Sequence, residues 1–126
     1  MGSTTSQDSG RTFQATGVAI AAYSLVTLDS SGTIAASGDN ATEQIIGVTT
    51  ADIAASGYGN VQLLNAGGTI EVLAGGNTIA VADTVYIDGS GKVGDDTSNT
   101  KIGIALQASS TDGDVIELLP HQTFLA

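Results

Sequence analysis

The chain has 126 residues, of which 41% are hydrophobic and only 4% aromatic, and it contains neither Trp nor Cys. This length fits one domain, and its core must be built from small aliphatic side chains. Thirteen Asp and Glu against three Lys and Arg give a formal net charge of -10, so the surface repels nucleic acid and we expect no nucleic-acid partner. Without Cys, neither a disulfide framework nor a thiolate metal site can form.

The chain begins with the polar stretch MGSTTSQDSG, which has no apolar residue after Met1. Such a stretch cannot bury surface, so residues 1–12 are predicted to form a flexible N-terminal arm. The apolar run GVAIAAYSLVTL is too short to span a bilayer, and the segment before it lacks the basic region of a signal peptide. We therefore expect a soluble chain without a membrane partner.

From residue 13 onward the sequence consists of short runs rich in Val, Ile, Leu and Thr, each closed by Gly, Asn, Asp or Ser. Alternation within these runs, as at Val85 and Ile87 of TVYID, is typical of strands with one buried face. The pattern predicts an all-β fold, a small β-barrel or β-sandwich of short strands, as one domain over 13–119 with a tail over 120–126. The best helical candidate is TTADIAASG at 49–57, and a loop is the alternative.

The stretches SLVTLDSSGTI and DTVYIDGSGKV have the same outline. The later segments IIGV and KIGI, and then NVQLL and DVIELL, continue the match. We interpret this as an internal two-fold sequence repeat with halves of about 17–64 and 69–119. The alternative is that Gly-bounded strands resemble one another by chance. The ungapped matches are Ile20 with Ile79, Val26 with Val85, Leu28 with Ile87, Asp29 with Asp88, Ser31 with Ser90 and Gly32 with Gly91.

Gly89, Gly91 and Gly94 match the G-x-G-x-x-G pattern of dinucleotide-binding loops. That loop requires a helix N-terminus to hold the pyrophosphate, whereas the polar stretch DDTSNTK follows here. We predict a hairpin turn in DGSG instead, because Gly supplies the positive φ angles of a tight turn. No cofactor is expected.

A group of acidic residues in the second half suggests a calcium site, because hard cations prefer clustered carboxylate oxygens. EF-hand spacing and G-G-x-G-x-D repeats are both absent, so solvated turns are the preferred interpretation. We expect no metal site and leave only weak cation binding at Asp95 and Asp96 open. The acidic residues are Asp88, Asp95, Asp96, Asp112 and Asp114.

Two further patterns resemble catalytic motifs. Asp8-Ser9-Gly10 matches the triplet of aspartic proteases, but it lies in the predicted arm, where a rigid carboxylate pair cannot form within one chain. His121 is the only His and lies in the tail, and no G-x-S-x-G elbow accompanies it. We predict no catalytic residue.

Large apolar side chains lie close to both ends of the ordered domain. Phe13 at the start, and Phe124 with Leu125 at the end, either close the ends of the barrel or contact another chain. We take the residues Phe13, Pro120, His121, Phe124 and Leu125 as candidate contacts to another chain.

The closing stretch KIGIALQASSTDGDVIELLP resembles the end of the bacteriophage capsid cement, or head-decoration, family. VADTVYIDGSGKV is similar to the family's central hairpin, and IIGVTTADIAASGYGNVQLL to its first-half loop. The similarity covers roughly residues 15–119, and the N-terminal arm and the PHQTFLA tail depart from it. The similarity rests on Gly103, Ile104, Ala105, Ala108, Gly113, Asp114, Val115 and Leu118, and in the hairpin on Asp83, Val85, Tyr86 and Asp88.

This resemblance implies a protein without enzymatic activity that lies in the virion, on the outer surface of the icosahedral head. Its partner would be the major capsid protein, and it would stabilise the assembled shell by binding shell and not free subunits. A homo-oligomer is implied, with a trimer favoured.

An alternative function is a β-structured module of a phage tail or fibre, or of a bacterial surface layer, which binds a host surface or carbohydrate. Such modules present aromatic rings to sugars, and only Tyr23, Tyr58 and Tyr86 are available for that purpose.

Overall fold

The computed structural model describes residues 10–38, 44–64 and 67–120. The described part is all-β, and it contains no helix long and apolar enough to cross a membrane. The first five strands are β1 (Gly10–Ala15), β2 (Leu25–Leu28), β3 (Thr33–Ala36), β4 (Ile45–Thr49) and β5 (Tyr58–Leu63). The next five are β6 (Ile70–Leu73), β7 (Thr84–Ile87), β8 (Val93–Gly94), β9 (Lys101–Ala105) and β10 (Val115–Pro120).

Strands β1 to β5 form a closed barrel, called here the first barrel, in the order β1-β3-β2-β4-β5. Antiparallel pairing of β1 with β5 and a short parallel pairing of β1 with β3, through Gln14–Thr33 and Ala15–Ile34, complete the closure. The closing β1–β3 pairing spans two residues of each strand, so the barrel is closed at one point and not along the full length of β1.

Strands β6 to β10 form a curled sheet, called here the second sheet, in the order β6-β10-β9-β7-β8. Its two outer strands meet through one parallel bridge, between Ala74 and Val93. This bridge corresponds to the Ala15–Ile34 pair of the first barrel.

The two halves share their irregular features as well as their strand pairing. A register shift interrupts β2 after Val26 and β7 after Val85, two positions that the sequence alignment had matched. Gly32 and Gly91, also matched, have φ of 82° and 76°, which a residue with a side chain rarely adopts. The pairing pattern therefore repeats along the chain, and the origin of the halves by duplication stays a prediction.

Each half has its own hydrophobic core. In the first barrel the buried side chains are Phe13, Ala15, Ile20, Val26, Ile34, Ile53 and Val61. The core of the second sheet includes Val72, Ile87, Val93, Ile116 and Leu118. Two residues of the first barrel, Leu25 and Val48, belong to this second core, so the two halves are joined by packed apolar surface.

The segment Tyr23–Leu25 of the first barrel lies between β6 and β8 and forms backbone hydrogen bonds on both sides. The Leu73 N–H donates to the Tyr23 carbonyl at 2.8 Å, and the Leu25 N–H donates to the Gly91 carbonyl at 2.8 Å. The first barrel thus supplies hydrogen-bond partners for backbone groups that a longer pairing of β6 with β8 would otherwise have satisfied.

Two expectations require correction. Residues 10–12, which were assigned to the flexible arm, form the start of β1 and pair with β5 through Gly10–Gln62 to Thr12–Asn60. Of the two alternatives for 49–57, a helix or a loop, the structure has the loop, which follows Thr49 at the end of β4 and contains a single bridge from Ile53 to Ile20. Pro120, which was assigned to the tail, is the last residue of β10 and pairs with Gly103.

Candidate docking surfaces

The G-x-G-x-x-G pattern forms the hairpin between β7 and β8, as predicted. The Asp88 N–H donates to the Lys92 carbonyl at 2.9 Å, and Gly89, Ser90 and Gly91 all have positive φ. The tight turn explains the glycines, and the segment leads into β8 and not into a helix.

The acidic residues of the second half serve mainly as turn acceptors. Asp96 accepts hydrogen bonds from the Ser98 hydroxyl at 2.7 Å and the Ser98 N–H at 3.0 Å, and these bonds hold its pKa below the usual value. Asp112 forms an ion pair with Lys92 at 2.8 Å, and Asp114 accepts from the Ser109 hydroxyl at 3.2 Å. Within residues 10–38, 44–64 and 67–120, no group of three or more acidic or His side chains could hold a metal ion. Weak cation binding at Asp95 and Asp96 stays a prediction.

Of the five candidate contact residues near the chain ends, two are buried and three lie outside the described residues. Phe13 is 9% exposed inside the first barrel, with the Arg11 guanidinium 5.0 Å from its ring centroid. Pro120 is buried at the end of β10. His121, Phe124 and Leu125 lie outside the described residues, as do Asp8 and Ser9 of the protease-like triplet. Contact of these terminal residues with a capsid or subunit stays a prediction.

Two loops at one end of the first barrel, residues 16–22 and 50–57, form an exposed surface of small apolar side chains. The antiparallel bridge between Ile20 and Ile53 ties the loops together, and the Asp52 carboxylate accepts from the Ala22 N–H at 2.8 Å. Val18 is 70% exposed. We call this surface the loop end; its exposed members are Val18, Ala19, Ala21, Ala51, Ala54 and Ala55.

The equivalent loops of the second sheet, tied by the Ile79–Ser109 bridge, expose polar side chains together with two large apolar ones, Val81 at 61% and Leu106 at 39%. Their residues at the matching positions are Asn77, Thr78, Ala80, Gln107, Ser110 and Thr111. The two halves also differ in charge. Residues 67–120 carry eight Asp and Glu against two Lys, whereas the described residues before them carry two Asp and one Arg. Over residues 10–66 the full sequence has four acidic residues and one Arg, so the loop end belongs to the less acidic half of the chain.

A second apolar surface lies on the outer face of the second sheet. Cross-strand pairing aligns Thr84 with Ile104 and Ile104 with Leu119, and Ile104 and Leu119 are 40% and 45% exposed. Leu106, 39% exposed, lies just beyond this row, where its N–H donates to the Glu117 carbonyl at 2.9 Å. We call Thr84, Ile104 and Leu119 the apolar row.

The sequence does not reveal either surface. Ala and Val in GVAIAAYS and ADIAAS are equally compatible with a core, and only the positions of the strands show that they face solvent. The one available signal is the comparison of the two halves, because five of the six loop-end residues are matched by polar residues, while Thr50 and Asp52 are matched by Leu106 and Ala108.

Exposed apolar surfaces of this kind are typical of proteins that assemble with others. The family model for phage cement proteins matches residues 4–120. The chain therefore belongs to the phage cement protein family. It is a structural protein associated with the phage head, located in the virion at the outer surface of the capsid.

Among solved structures, the chain is similar to the N base of the head fiber protein gp8.5 of bacteriophage phi29. The TM-score is 0.70 at 21% sequence identity, over 93% of this chain and 98% of that chain. At this identity the similarity concerns the fold alone. No curated protein matches the chain.

Proposed function

We propose that this protein binds the outer surface of the assembled head, stabilises the shell and catalyses no reaction. Its partner in this proposal is the major capsid protein. The observation that carries the proposal is the exposed loop end, with its small apolar side chains around Asp52, on a chain that belongs to the cement family.

Shell stabilisation by such a protein is a binding effect. A molecule that binds the assembled shell and not the free subunits stabilises the shell by about 2.7 kcal/mol per site at a free concentration one hundred times the Kd. Many symmetry-related sites on one shell add these contributions. A small protein without any reaction to perform can therefore raise the temperature at which heads disrupt.

The loop end is the proposed capsid-binding surface. Apolar side chains gain from removal from water, at about 25 cal/mol per Å². The loop end combines such side chains with the less acidic half of the molecule, so docking there keeps the more acidic second sheet away from the shell. The second sheet would then face solvent, where net charge favours solubility.

The test is co-sedimentation of the purified protein with undecorated, expanded heads of its own phage. Wild type should saturate at a fixed ratio to capsid subunits, and decorated heads should survive higher temperatures. Ala54→Glu places a charge in the loop end and should weaken binding at least about tenfold, which corresponds to about 1.4 kcal/mol. Ser110→Glu makes the same charge change at the equivalent position of the second sheet and should bind as wild type does. Equal binding by both variants would rule out the loop end.

The terminal segments are the second proposed contact. Because Gly10–Thr12 and Pro120 belong to strands, the deletions that leave the fold intact remove residues 1–9 and residues 121–126. Unchanged binding after both deletions would show that the ends are dispensable.

The alternative, a fibre or surface module that binds carbohydrate, makes a different prediction. Tyr58 is 71% exposed, whereas Tyr23 and Tyr86 are partly buried, so sugar binding would depend on Tyr58. Failure to sediment with heads, together with glycan binding that Tyr58→Ala abolishes, would favour this alternative.

A further inference from the structure

A polar cleft lies where the first barrel meets β6 of the second sheet. Its volume is about 320 Å³, which is at the lower end of the range for small-molecule sites. Val48 of the barrel and Ile70 of β6 contribute its apolar lining. The Gln62 amide donates to the Thr69 carbonyl at 3.1 Å and so connects the two walls. Ligand sites are often found at such a junction between two folding units.

Four polar side chains of the cleft are accessible to a ligand. Thr50 and Glu71 are exposed, and Tyr23 and Gln62 are half-buried. The nitrogen of the Gln62 amide is used by Thr69, which leaves its oxygen to accept a further hydrogen bond. In the part of the chain that the structure describes, no hydrogen bond or ion pair uses the Glu71 carboxylate. The cleft therefore offers both hydrogen-bond donors and acceptors.

The strand pairing that the two halves share does not require these polar side chains. The equivalent residues are Ala or Leu at three positions and an uncharged Thr at the fourth. Exposure does not explain the difference, because Leu106 and Leu119 are 39% and 45% exposed whereas Gln62 is half-buried. The polar lining is therefore specific to the cleft. The equivalent pairs are Tyr23 with Ala82, Thr50 with Leu106, Gln62 with Leu119 and Glu71 with Thr12.

We propose that this cleft binds one saccharide unit, either a free sugar or the terminal residue of a polysaccharide. A sugar ring has hydroxyl groups at its edge and C–H groups on its faces. The hydroxyl groups match Thr50, Gln62 and Glu71, which donate and accept hydrogen bonds. The C–H groups match the apolar lining from Val48 and Ile70.

Charge argues against the other classes of small ligand. Among the described residues that line the cleft, none is basic, and the chain has a formal net charge of -10. Phosphate and carboxylate ligands are therefore repelled. Glu71 is the one ionised group among these lining residues, and the remaining polar groups are neutral, so a neutral ligand fits the set better than a cation does.

The site is separate from the two surfaces of the proposed function. Tyr58, on which the carbohydrate-binding alternative depends, does not line the cleft. The proposal does not rest on capsid binding, and it is tested without heads.

The test is an NMR titration of the nitrogen-15-labelled full chain with glucose, galactose, mannose, rhamnose and N-acetylglucosamine as separate probes at millimolar concentrations. At least one sugar should cause saturable shifts of the N–H signals of Thr50, Gln62 and Glu71. Inorganic phosphate and N-acetyllysine methylamide, titrated in the same way, should leave these signals unchanged.

The variants use residues that the fold already accommodates. Thr50→Leu with Gln62→Leu introduces the side chains of the equivalent positions and should raise the dissociation constant at least about tenfold. Glu71→Ala should also weaken binding, whereas Asp95→Ala removes the same charge outside the cleft and should bind as wild type does. Far-ultraviolet circular dichroism should be unchanged in every variant.

Three outcomes would overturn the proposal. One is that none of the sugars shifts these signals while the chain is folded. Another is that N-acetyllysine methylamide shifts them and the sugars do not, which would assign the cleft to a basic side chain of a partner. The third is sugar binding that the double variant keeps and Tyr58→Ala abolishes, which would place the sugar on the exposed ring.

Co-sedimentation with isolated cell walls of the phage's own host distinguishes the two sources of the sugar. Retention on the walls that the free sugar reverses would identify a polysaccharide as the ligand. Sugar binding in the titration without retention on the walls would identify a free sugar. Both results support the cleft as the site.

Discussion

A methyl group added at Gly103 should force apart two paired strands of the second sheet. An ideal Cβ at this position would overlap the carbonyl oxygen of Leu119 and would lie 3.0 Å from both the Leu119 carbonyl carbon and the Pro120 Cα. These are backbone atoms of β10, and β7 pairs with Gly103 on the other side through Val85. No side-chain rotation can relieve the overlap.

The expected cost of Gly103→Ala follows from this geometry. Inserting a carbon into a packed site costs about 1–3 kcal/mol, and we expect about 3 kcal/mol because only backbone can move. For a domain of this size, 1 kcal/mol lowers the Tm by roughly 4 °C, so the Tm should fall by roughly 12 °C. Gly47, at the equivalent position of β4, faces the Gln62 carbonyl in the same way and should behave alike.

Thermal and urea unfolding, both monitored by circular dichroism, measure this effect. The loss of stability should appear as a lower urea midpoint, with an unchanged slope of the unfolding free energy against urea concentration. Gly17→Ala is the matched control, since its Cβ would meet nothing within 4 Å. A Gly103→Ala variant with a Tm within about 2 °C of both wild type and the control would refute the close approach of β9 and β10.

Three further outcomes are expected. Leu118→Ala, in the core of the second sheet, should lower the free energy of unfolding by about 2–5 kcal/mol, measured by urea unfolding; a loss near zero would contradict its burial. Lys92→Ala breaks an exposed ion pair with Asp112 and should cost less than about 1 kcal/mol in the same assay. The hydroxyl and N–H of Thr33 hold the pKa of Asp29 below 3.8, so the stability that this turn contributes is complete above that value and is lost as the pH falls through the lower folded pKa. Carbon-13 titration of the Asp29 carboxyl should show Thr33→Val raising that pKa; an unchanged titration would contradict the hydrogen bond.

The strand content and the turns were predictable because their signals are local. DGSG specifies its hairpin through residues four positions apart, and the alternation in TVYID matches the buried Val85 and Ile87. The prediction of cement family membership is confirmed by the family match over residues 4–120. The prediction rested on Gly103 and its neighbours, where the close approach of the β10 backbone limits which residues fit.

Strand β1 was missed for a physical reason. In GRTFQA only Phe13 and Ala15 are buried, while Arg11 and Thr12 are exposed and Gln14 is half-buried. A segment with one large apolar residue among polar ones is similar in composition to the polar arm that precedes it. Its role as a strand depends on partners far along the chain, β3 and β5, which no local pattern identifies.

Comparison of the two halves distinguishes residues that the shared strand pairing requires from residues whose identity has another cause. Val26 and Val85 are both fully buried, as the shared pairing pattern requires. Where equivalent positions differ, the strand pairing that the halves share is not the cause. Ala54 against Ser110, and the buried Leu25 against the exposed Thr84, are differences of this kind. The cause lies in what each position contacts outside its own half: for Leu25 this is the core of the second sheet within the same chain, and for Ala54 it is the capsid contact proposed above.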